Sequence, residues 1–320
     1  MVGADQNTDQ KLSSTSSAAI PLHEKLRELS LIFFGRLSGL FKPWSAQGLF
    51  LDIEEYGGLL QKYAGRGLAG ASGFEVGYGA RPSRLFAMAA SGIDVTGIDI
   101  DVPLLRCSPR EISSMIRRNG FERALKSVAR FVLFDLTERR RLDKALRKRG
   151  FKLKIEPHRF HVGDAAGFTL LRHSLDFIYS EDVFEHVQAS SLQALVPRMA
   201  EWLKPDGLAF IRPHVYTGIA GGHLIEWYPS TVGDPRPRRS EPWEHLRQRR
   251  FKANTHLNEL CLADYRKLFQ QHFEILEERV RQPDLGRQYL TPEIAAELSQ
   301  WSDEELFSNR ILFVLRPLPR

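Results

Sequence analysis

The stretch GFEVGYGARP, residues 73–82, decides the fold. Its first four residues suit a short strand, and Gly77 and Gly79 suit a tight turn whose backbone can approach a ligand closely. Pro82 is favourable in the first turn of a helix, which we expect to run to about residue 90 and to close at Gly92. A strand, a glycine turn and a helix in this order predict the first unit of a parallel α/β sheet.

Further strands and helices alternate along the rest of the chain. Strands are predicted at residues 94–100, 160–162, 175–180, 208–212, 273–280 and 311–315. Helices are predicted at residues 183–203 and 262–272, with a turn at residues 204–207, a helix start at Thr291 and Pro292, and a capping box at Ser302. The alternation predicts a doubly wound, mostly parallel seven-stranded sheet with an antiparallel edge strand and helices on both faces.

The remaining residues divide the chain further. We expect a disordered polar tail at residues 1–20 and a helical segment at residues 21–68, with breaks at Pro43 and at Gly57 and Gly58. The main domain, residues 69–320, then carries two insertions. One is basic and helical, at about residues 104–158, and the other, at about residues 213–258, can cover the strand ends.

Charge is concentrated in the first insertion. The net charge is only +6, yet residues 104–160 hold 17 Lys and Arg against 6 Asp and Glu. Residues 138–154 read as a basic amphipathic helix with Leu142 and Leu146 on its apolar side. This helix is either a solvated surface or a dock for an anionic partner such as a phosphate-bearing substrate or a lipid headgroup. Nucleic acid is unlikely as a partner, because no aromatic residues are interleaved for base stacking.

Composition narrows the class of protein. The chain has 320 residues, of which 42% are hydrophobic and 26% charged, which excludes a wholly disordered chain. Cys107 and Cys261 form neither a disulfide framework nor a cysteine zinc site, and we expect no metal. The apolar run at residues 29–41 is too short to span a bilayer and reads as a buried or an interfacial helix. We expect a cytoplasmic protein, with peripheral contact at the inner membrane face left open.

Acidic residues after the strands indicate a nucleoside-bearing cofactor. Asp99 follows the second strand, 22 residues beyond Gly77, where a carboxylate can accept both ribose hydroxyls. NAD and S-adenosylmethionine both fit this spacing. However, Pro82 replaces the third glycine of a dinucleotide fingerprint, and Glu75 would repel a pyrophosphate but suit a methionine ammonium group. After the third strand, the carboxylate of Asp164 and the N–H of Ala165 can read an adenine edge.

Five motifs now appear in the order typical of one family: residues 75–81 (EVGYGAR), 97–100 (GIDI), 163–165 (GDA), 175–187 (LDFIYSEDVFEHV) and 203–207 (LKPDG). The chain therefore resembles class I S-adenosylmethionine-dependent methyltransferases, which have a Rossmann-like fold. The resemblance implies S-adenosylmethionine as cofactor and a binding set of Glu75, Gly77, Tyr78, Gly79, Asp99, Ile100, Asp164, Ala165, Ser180 and Glu181. Arg81 stands where the family often has a third glycine and is a candidate partner for the methionine carboxylate.

The second insertion holds the candidate catalytic residues. His214 lies two residues after the fifth strand, and His223 can reach the same rim only if its loop folds back. Either is a candidate general base, and a reaction without a protein base stays open. Asp176 reads as a structural residue at the start of a strand, and His186 as a helix residue without a chemical role.

The sequence restricts the methyl acceptor only to a broad chemical class. The site after the fourth strand, SEDV at residues 180–183, lacks the motif of enzymes that methylate exocyclic amines of nucleic acids. No cysteine is placed as a nucleophile for pyrimidine C5 methylation. Residues 242–247 and 262–269 resemble segments of bacterial methyltransferases linked to surface glycans. We therefore expect an oxygen, or a nitrogen, of a glycan or small-molecule acceptor, which could be anionic.

Two other readings stay in view. The alternative class is a non-enzymatic membrane- or anion-docking protein that uses the basic helix and residues 29–41. A Rossmann oxidoreductase is disfavoured by Pro82 and Glu75. The oligomeric state is left open by the sequence.

Overall fold

The computed structural model describes residues 46–319, except residues 235–236, 252 and 254. The expected tail, the apolar run at residues 29–41 and the break at Pro43 therefore lie outside the described residues. From Ala46 onward the chain forms one compact unit. Within the described residues, no helix combines the length and the apolar character needed to cross a membrane.

The described strands are β1 Ser72–Val76, β2 Asp94–Asp99, β3 Phe160–Val162, β4 Leu175–Glu181, β5 Leu203–Arg212, β6 Phe273–Val280 and β7 Ile311–Pro317. The described α-helices are α1 Gln47–Ala64, α2 Ser83–Ala90, α3 Pro109–Asn119, α4 Phe121–Arg130, α5 Leu136–Arg147, α6 Ala189–Trp202, α7 Glu244–Arg247, α8 Leu262–Gln270, α9 Pro292–Glu297 and α10 Asp303–Phe307. Short 3-10 turns lie at Pro157–Arg159, Ala165–Gly167, Phe184–His186, Ile225–Trp227 and Arg287–Tyr289.

The strands form one seven-stranded sheet in the order β3-β2-β1-β4-β5-β7-β6. Strands β1 to β5 are mutually parallel, and β7 runs antiparallel between β5 and β6. The predicted fold class is confirmed, with the antiparallel strand one position in from the edge. Strand order reverses between β1 and β4, so the carboxyl ends of these strands flank the place where such sheets bind ligands.

Helix α1 crosses Gly57 and Gly58 without a break, so the predicted break is wrong. Its buried residues recur at helical spacing along one face: Phe50, Ile53, Tyr56, Leu59 and Leu60. Burial of that apolar face outweighs the helix penalty of about 1 kcal/mol for each glycine. The helix therefore belongs to the same compact unit as the sheet.

The predicted helix at residues 183–203 is wrong at its start, since α6 begins at Ala189. Asp182 has a φ of 56°, which ends strand β4 in a left-handed conformation. The side-chain amide of Asn258 donates to the carbonyls of Phe184 and Val187 and holds the intervening 3-10 turn. Residues 204–207, predicted as a turn, form an irregularity within β5. Leu203 pairs with Leu175 of β4, and the next paired residues are Leu208 and Phe177. The predicted start of the strand at Leu208 is therefore five residues late.

The basic insertion folds as α3, α4 and α5, with a π-helical turn at Phe131–Asp135 joining the last two. Leu142 and Leu146 are buried as expected, but the last helix ends at Arg147 rather than near residue 154. Phe121, Leu125, Val132 and Leu133 are more than half exposed, and Leu136 is 37% exposed. We call these five residues the apolar stripe.

The second insertion packs against the C-terminal helices α9 and α10. Trp227 and Trp243 form a small separate core with Ile294, Leu306 and Phe307. Gly221 and Gly222 lie so close to Tyr216 and His245 that a Cβ atom would come within 2.4 Å of them. These glycines thus serve close packing rather than an open loop. Ser302 caps α10 as predicted, whereas the carboxylate of Glu305 accepts from the N–H groups at the start of α8.

Candidate functional site

The turn after β1 requires both of its glycines. Gly77 and Gly79 have φ values of 78° and 65°, which side chains rarely adopt. A Cβ atom on Gly77 would also lie 2.4 Å from Val183. The turn therefore packs directly against the residues that follow β4, which brings two parts of the rim into contact.

The acids after β2 and β3 lie on the same rim. Asp99 accepts hydrogen bonds from the N–H of Gly79 and of Asp101, both at 2.8 Å, and its own carbonyl accepts from Gly163. Burial raises the pKa of Asp99. Ile100 is 68% exposed beside it, and Asp164 is exposed and caps Ala166. An exposed apolar side chain between two carboxylates suits a flat ring carried on a sugar.

Glu75 is buried at the end of β1. Tyr179 donates a hydrogen bond to its carboxylate at 3.0 Å, and a guanidinium nitrogen of Arg84 lies 3.9 Å from its other oxygen. Burial raises the pKa of Glu75 to about 7, although Arg84 and Tyr179 act in the opposite direction. This carboxyl group therefore changes charge near neutral pH.

Several predicted site residues use their side chains inside the protein. The hydroxyl of Tyr78 donates to the carbonyl of His161, and that of Ser180 donates to the carbonyl of Val76. Arg81 pairs with Asp135 and Glu138 of the basic insertion. In this structure Arg81 thus pairs inside the protein, and its contact with the methionine carboxylate stays a prediction. The hydroxyls of Tyr78 and Ser180 donate inside the protein, and their oxygens can still accept hydrogen bonds.

Glu181 is likewise committed to the protein. Its carboxylate lies within 3.0 Å of guanidinium nitrogens of Arg212 and Arg310. Arg212 is fully buried and also pairs with Asp52 and Glu55 of α1, at 3.0 and 2.7 Å. This network ties α1 to the carboxyl ends of β4 and β5, directly beneath the rim.

The two histidines singled out in the sequence come together. The loop does fold back, so that the rings of His214 and His223 lie 5.1 Å apart between centroids. They meet Glu185, and one ligand atom from each of the three lies within 4.8 Å of the others. We call Glu185, His214 and His223 the Glu–His cluster. Sequence reasoning missed Glu185, whose signal is that it follows β4 by only four residues.

The polar atoms of the cluster are buried. The side chains of Glu185, His214 and His223 are 4%, 12% and 9% exposed. Among the described residues, neither oxygen of Glu185 nor Nε2 of His223 nor Nδ1 of His214 has a hydrogen-bond partner of normal geometry. Backbone N–H groups of Glu185 and His214 lie near the carboxylate. Buried polar atoms without partners are costly, so this arrangement points to a role.

Burial and neighbouring charged groups shift the pKa values of the Glu–His cluster and of Asp182. Burial raises the pKa of Glu185 well above its ordinary value. Burial, together with His214 and His186, lowers the pKa of His223 to about 3, so this imidazole is neutral near pH 7. Asp182 lies 3.4 Å from Nε2 of His214. Although burial opposes it, the hydrogen bond from His214 and the charge of Arg310 hold the pKa of Asp182 at about 2.

The other singled-out residues have structural positions. Asp176 accepts from the N–H of Ser72 and pairs with Lys204 at the amino end of the sheet, away from the rim. His186 lies in the 3-10 turn, with Nδ1 3.0 Å from the carbonyl of His256. The side chain of His245 is buried, and its Nε2 lies 2.7 Å from the carbonyl oxygen of Tyr216.

The chain can now be compared with known proteins. A family model described as a methyltransferase domain matches residues 50–277, more than two thirds of the chain. No curated protein matches the chain significantly.

Similar solved structures come from several organisms. An S-adenosylmethionine-dependent methyltransferase of Methanosarcina mazei is 15% identical, with 82% of this chain and 98% of that chain covered and a TM-score of 0.43. A protein of Pyrococcus horikoshii OT3 is 14% identical, with 83% and 90% covered and a TM-score of 0.42. An S-adenosylmethionine-dependent methyltransferase of Mesorhizobium loti is 15% identical, with 78% and 92% covered and a TM-score of 0.39.

Proposed function

The chain belongs to the methyltransferase domain family, and from this premise we propose that it methylates an oxygen, or a nitrogen, of a glycan or small-molecule acceptor. The family confirms the resemblance read from the sequence: the protein is an S-adenosylmethionine-dependent methyltransferase. The observation that carries the acceptor proposal is the Glu–His cluster, in which Glu185 comes two residues after Val183, the residue that packs against Gly77 of the glycine turn.

The residues after β1, β2 and β3 fit the cofactor. Asp99 and Asp164 can accept hydrogen bonds from ribose hydroxyls and the adenine amino group, and Ile100 offers an apolar surface to the ring. The ionised form of Glu75 suits the ammonium group of the methionine part. When bound, the cofactor supplies an activated methyl group on a sulfonium.

In this proposal the Glu–His cluster binds and orients the methyl acceptor. Methyl transfer from a sulfonium mainly requires alignment of the acceptor and, for a hydroxyl, loss of its proton. Glu185, His214 and His223 present buried oxygen and nitrogen atoms to one small volume. Such groups can hold a hydroxyl or amine in a fixed direction. A pKa of about 3 makes His223 a poor proton acceptor near pH 7.

Single-turnover assays with labelled cofactor test this proposal. Once fractionated cell extracts identify an acceptor, we expect His214→Ala to lower the methyl-transfer rate by about 10²–10⁴-fold, as the loss of a general base does. His223→Ala should lower it by about 10²-fold, because the acceptor loses a group that positions it. Their affinity for S-adenosylhomocysteine should stay as in the wild type, because neither side chain belongs to the cofactor set. His256→Ala, an exposed histidine of the same insertion, is the matched control. Equal rates in all variants would contradict the acceptor site.

The apolar stripe supports a second proposal, peripheral contact with an anionic lipid surface. Phe121 and Leu125 of α4 and Leu133 of the π-helical turn recur at multiples of four residues, and each is more than half exposed. Exposed basic residues accompany the stripe: Arg117, Arg118, Arg123, Lys126 and Arg140. Apolar side chains bordered by positive charge suit a negatively charged lipid interface.

Vesicle sedimentation tests this contact. The wild type should bind vesicles of phosphatidylserine and phosphatidylcholine and lose binding as salt rises, because exposed charges are screened. Leu125→Glu with Leu133→Glu should abolish binding. Leu51→Glu with Leu171→Glu, which changes two exposed leucines elsewhere, should not. The contrary outcome is a wild type that does not bind vesicles and forms a dimer that Leu125→Glu with Leu133→Glu disrupts and the control variant does not. In that case the apolar stripe is a protein interface.

A further inference from the structure

We propose that Glu185, His214 and His223 form a binding site for a divalent transition-metal ion that leaves coordination positions open for the acceptor. This proposal replaces our expectation from the sequence that the protein has no metal site. The role toward the acceptor rests on the proposed methyl transfer, whereas metal binding itself does not.

The donor set suits such an ion. One carboxylate and two imidazoles are ligands that zinc and related ions accept, and sites with three protein ligands keep room for a substrate oxygen. The side chains of His223 and Glu185 are only 9% and 4% exposed, so little solvent competes for their ligand atoms. Magnesium, which prefers oxygen ligands, should bind poorly here.

The distances are compatible with binding. Nε2 of His223 lies 4.0 Å from an oxygen of Glu185, and the three ligand atoms lie within 4.8 Å of one another. Ligand atoms around a tetrahedral zinc ion are roughly 3.3–3.6 Å apart, given metal–ligand bonds of about 2.0–2.2 Å. The side chains therefore need to close by only about 1 Å, which rotamer adjustments can supply.

The atoms that would bind the ion are those that lack partners. Both carboxylate oxygens of Glu185, Nε2 of His223 and Nδ1 of His214 are buried without a hydrogen bond of normal geometry among the described residues. A cation would remove this cost by accepting their lone pairs. A merely structural cluster would instead pair these atoms with protein donors, as His245 is paired with Tyr216.

Asp182 occupies the place of an outer partner. Metal-binding histidines usually donate their second N–H to a carboxylate, which fixes the ring and its tautomer. Oδ1 of Asp182 lies 3.4 Å from Nε2 of His214, which leaves Nδ1 with its lone pair for the ion. Arg310 in turn holds Asp182 at 2.6 Å. Asp182 is thus a positioning residue rather than a ligand.

The test is metal titration of the full chain after treatment with a chelator. Calorimetry with Zn²⁺ and with Mn²⁺ should show one site per chain, and Mg²⁺ should bind far more weakly. Glu185→Gln and His223→Ala should weaken Zn²⁺ binding at least 100-fold, and Asp182→Asn should weaken it about 10–100-fold. His256→Ala should bind Zn²⁺ as the wild type does. Replacement by Co²⁺ should give visible absorption bands that Glu185→Gln loses.

Affinity for S-adenosylhomocysteine separates the possible failures. If Glu185→Gln keeps this affinity but loses Zn²⁺, the variant is folded and the site stands. If wild type and Glu185→Gln bind Zn²⁺ alike, the site is refuted. If the chelated protein methylates its acceptor at the full rate, the metal ion has no role in the transfer and that role is refuted. A wild type that binds Zn²⁺ but no S-adenosylhomocysteine would refute the proposed function and leave the metal site intact.

Discussion

Asp99 shapes the rim, and we expect it to bind the cofactor there as well. Its carboxylate already accepts hydrogen bonds from the N–H groups of Gly79 and Asp101, so it stiffens the glycine turn before any ligand arrives. A carboxylate has enough lone pairs to accept ribose hydroxyls in addition. Contact between Asp99 and the cofactor therefore stays a prediction that is compatible with its role in the turn.

Asp99→Ala should weaken S-adenosylhomocysteine binding at least tenfold. The variant loses charge-assisted hydrogen bonds, each worth about 1.5–3 kcal/mol, and loosens the turn at Gly79. Calorimetry measures the affinity. Asp94→Ala, an exposed acid at the other end of β2, should bind the ligand as the wild type does. Wild-type affinity in Asp99→Ala would remove this residue from the cofactor site.

Residues that follow strands were predictable, and residues that depend on loop paths were not. Asp99, Asp164 and His214 were placed at the rim because parallel strands share one carboxyl edge. The meeting of His223 with Glu185 depends on a loop folded around Gly221 and Gly222, whose tight packing no local pattern reveals. The pairing of Arg81 with Asp135 and Glu138 was not predicted, because these two residues lie more than fifty residues further along the chain.

At the scale of elements, one buried arginine joins α1 to two strands. Arg212 meets Asp52 and Glu55 from the helix and Glu181 from β4. Removal of one member of such a network leaves the others buried and uncompensated. The position of α1 on the sheet therefore depends on this side chain as well as on apolar burial.

Arg212→Met should lower the free energy of unfolding by about 3–5 kcal/mol, because the buried Glu181 loses its fully buried counter-charge and keeps only the partly exposed Arg310. Urea denaturation measures the change. Arg281→Met is the matched control, since Arg281 contacts the same Asp52 and Glu55 but is one-third exposed. Its loss should cost about 0–1 kcal/mol. Equal losses in the two variants would show that burial of Arg212 has no special weight.

The limits of a strand or helix were predictable where the local sequence pattern and the tertiary packing favour the same residues. Strands β2, β3 and β6 lie within one residue of the prediction, since their apolar residues and flanking glycines or charges point the same way. The start of α6 was misplaced because Asn258, distant in sequence, holds residues 184–187 in a tighter turn. The break expected at Gly57 and Gly58 does not occur. The low helix propensity of glycine costs less free energy than burial of the apolar face of α1 contributes.

At the scale of the whole molecule, Glu75 makes stability depend on pH. Its pKa is about 7 in the folded protein against an ordinary value of 4.5. Between these values the folded chain holds a proton that the unfolded chain has lost. Stability from this group is therefore fully present at low pH and decreases as pH rises toward 7.

The difference in unfolding free energy between the wild type and Glu75→Gln should follow this proton. From about pH 5 to pH 7 the wild type should lose about 1.4 kcal/mol per pH unit relative to the variant, and above pH 7 the difference should level off. Denaturation without cofactor at several pH values measures it. A difference that is constant, or that favours the wild type as pH rises, would mean that Glu75 stays ionised.

Of the seven described strands, β7 comes last in the sequence, yet it lies between β5 and β6. During synthesis on the ribosome, β6 emerges before the strand that attaches it to the sheet, and it waits while residues 281–310 are made. Until then the nascent chain carries open strand edges, the places where chains associate wrongly. Truncation or slow translation before residue 311 should therefore send the protein to chaperones or aggregates. The sheet, and the ion pairs that Arg310 makes with Glu181 and Asp182, can form only after residues 310–317 have been made.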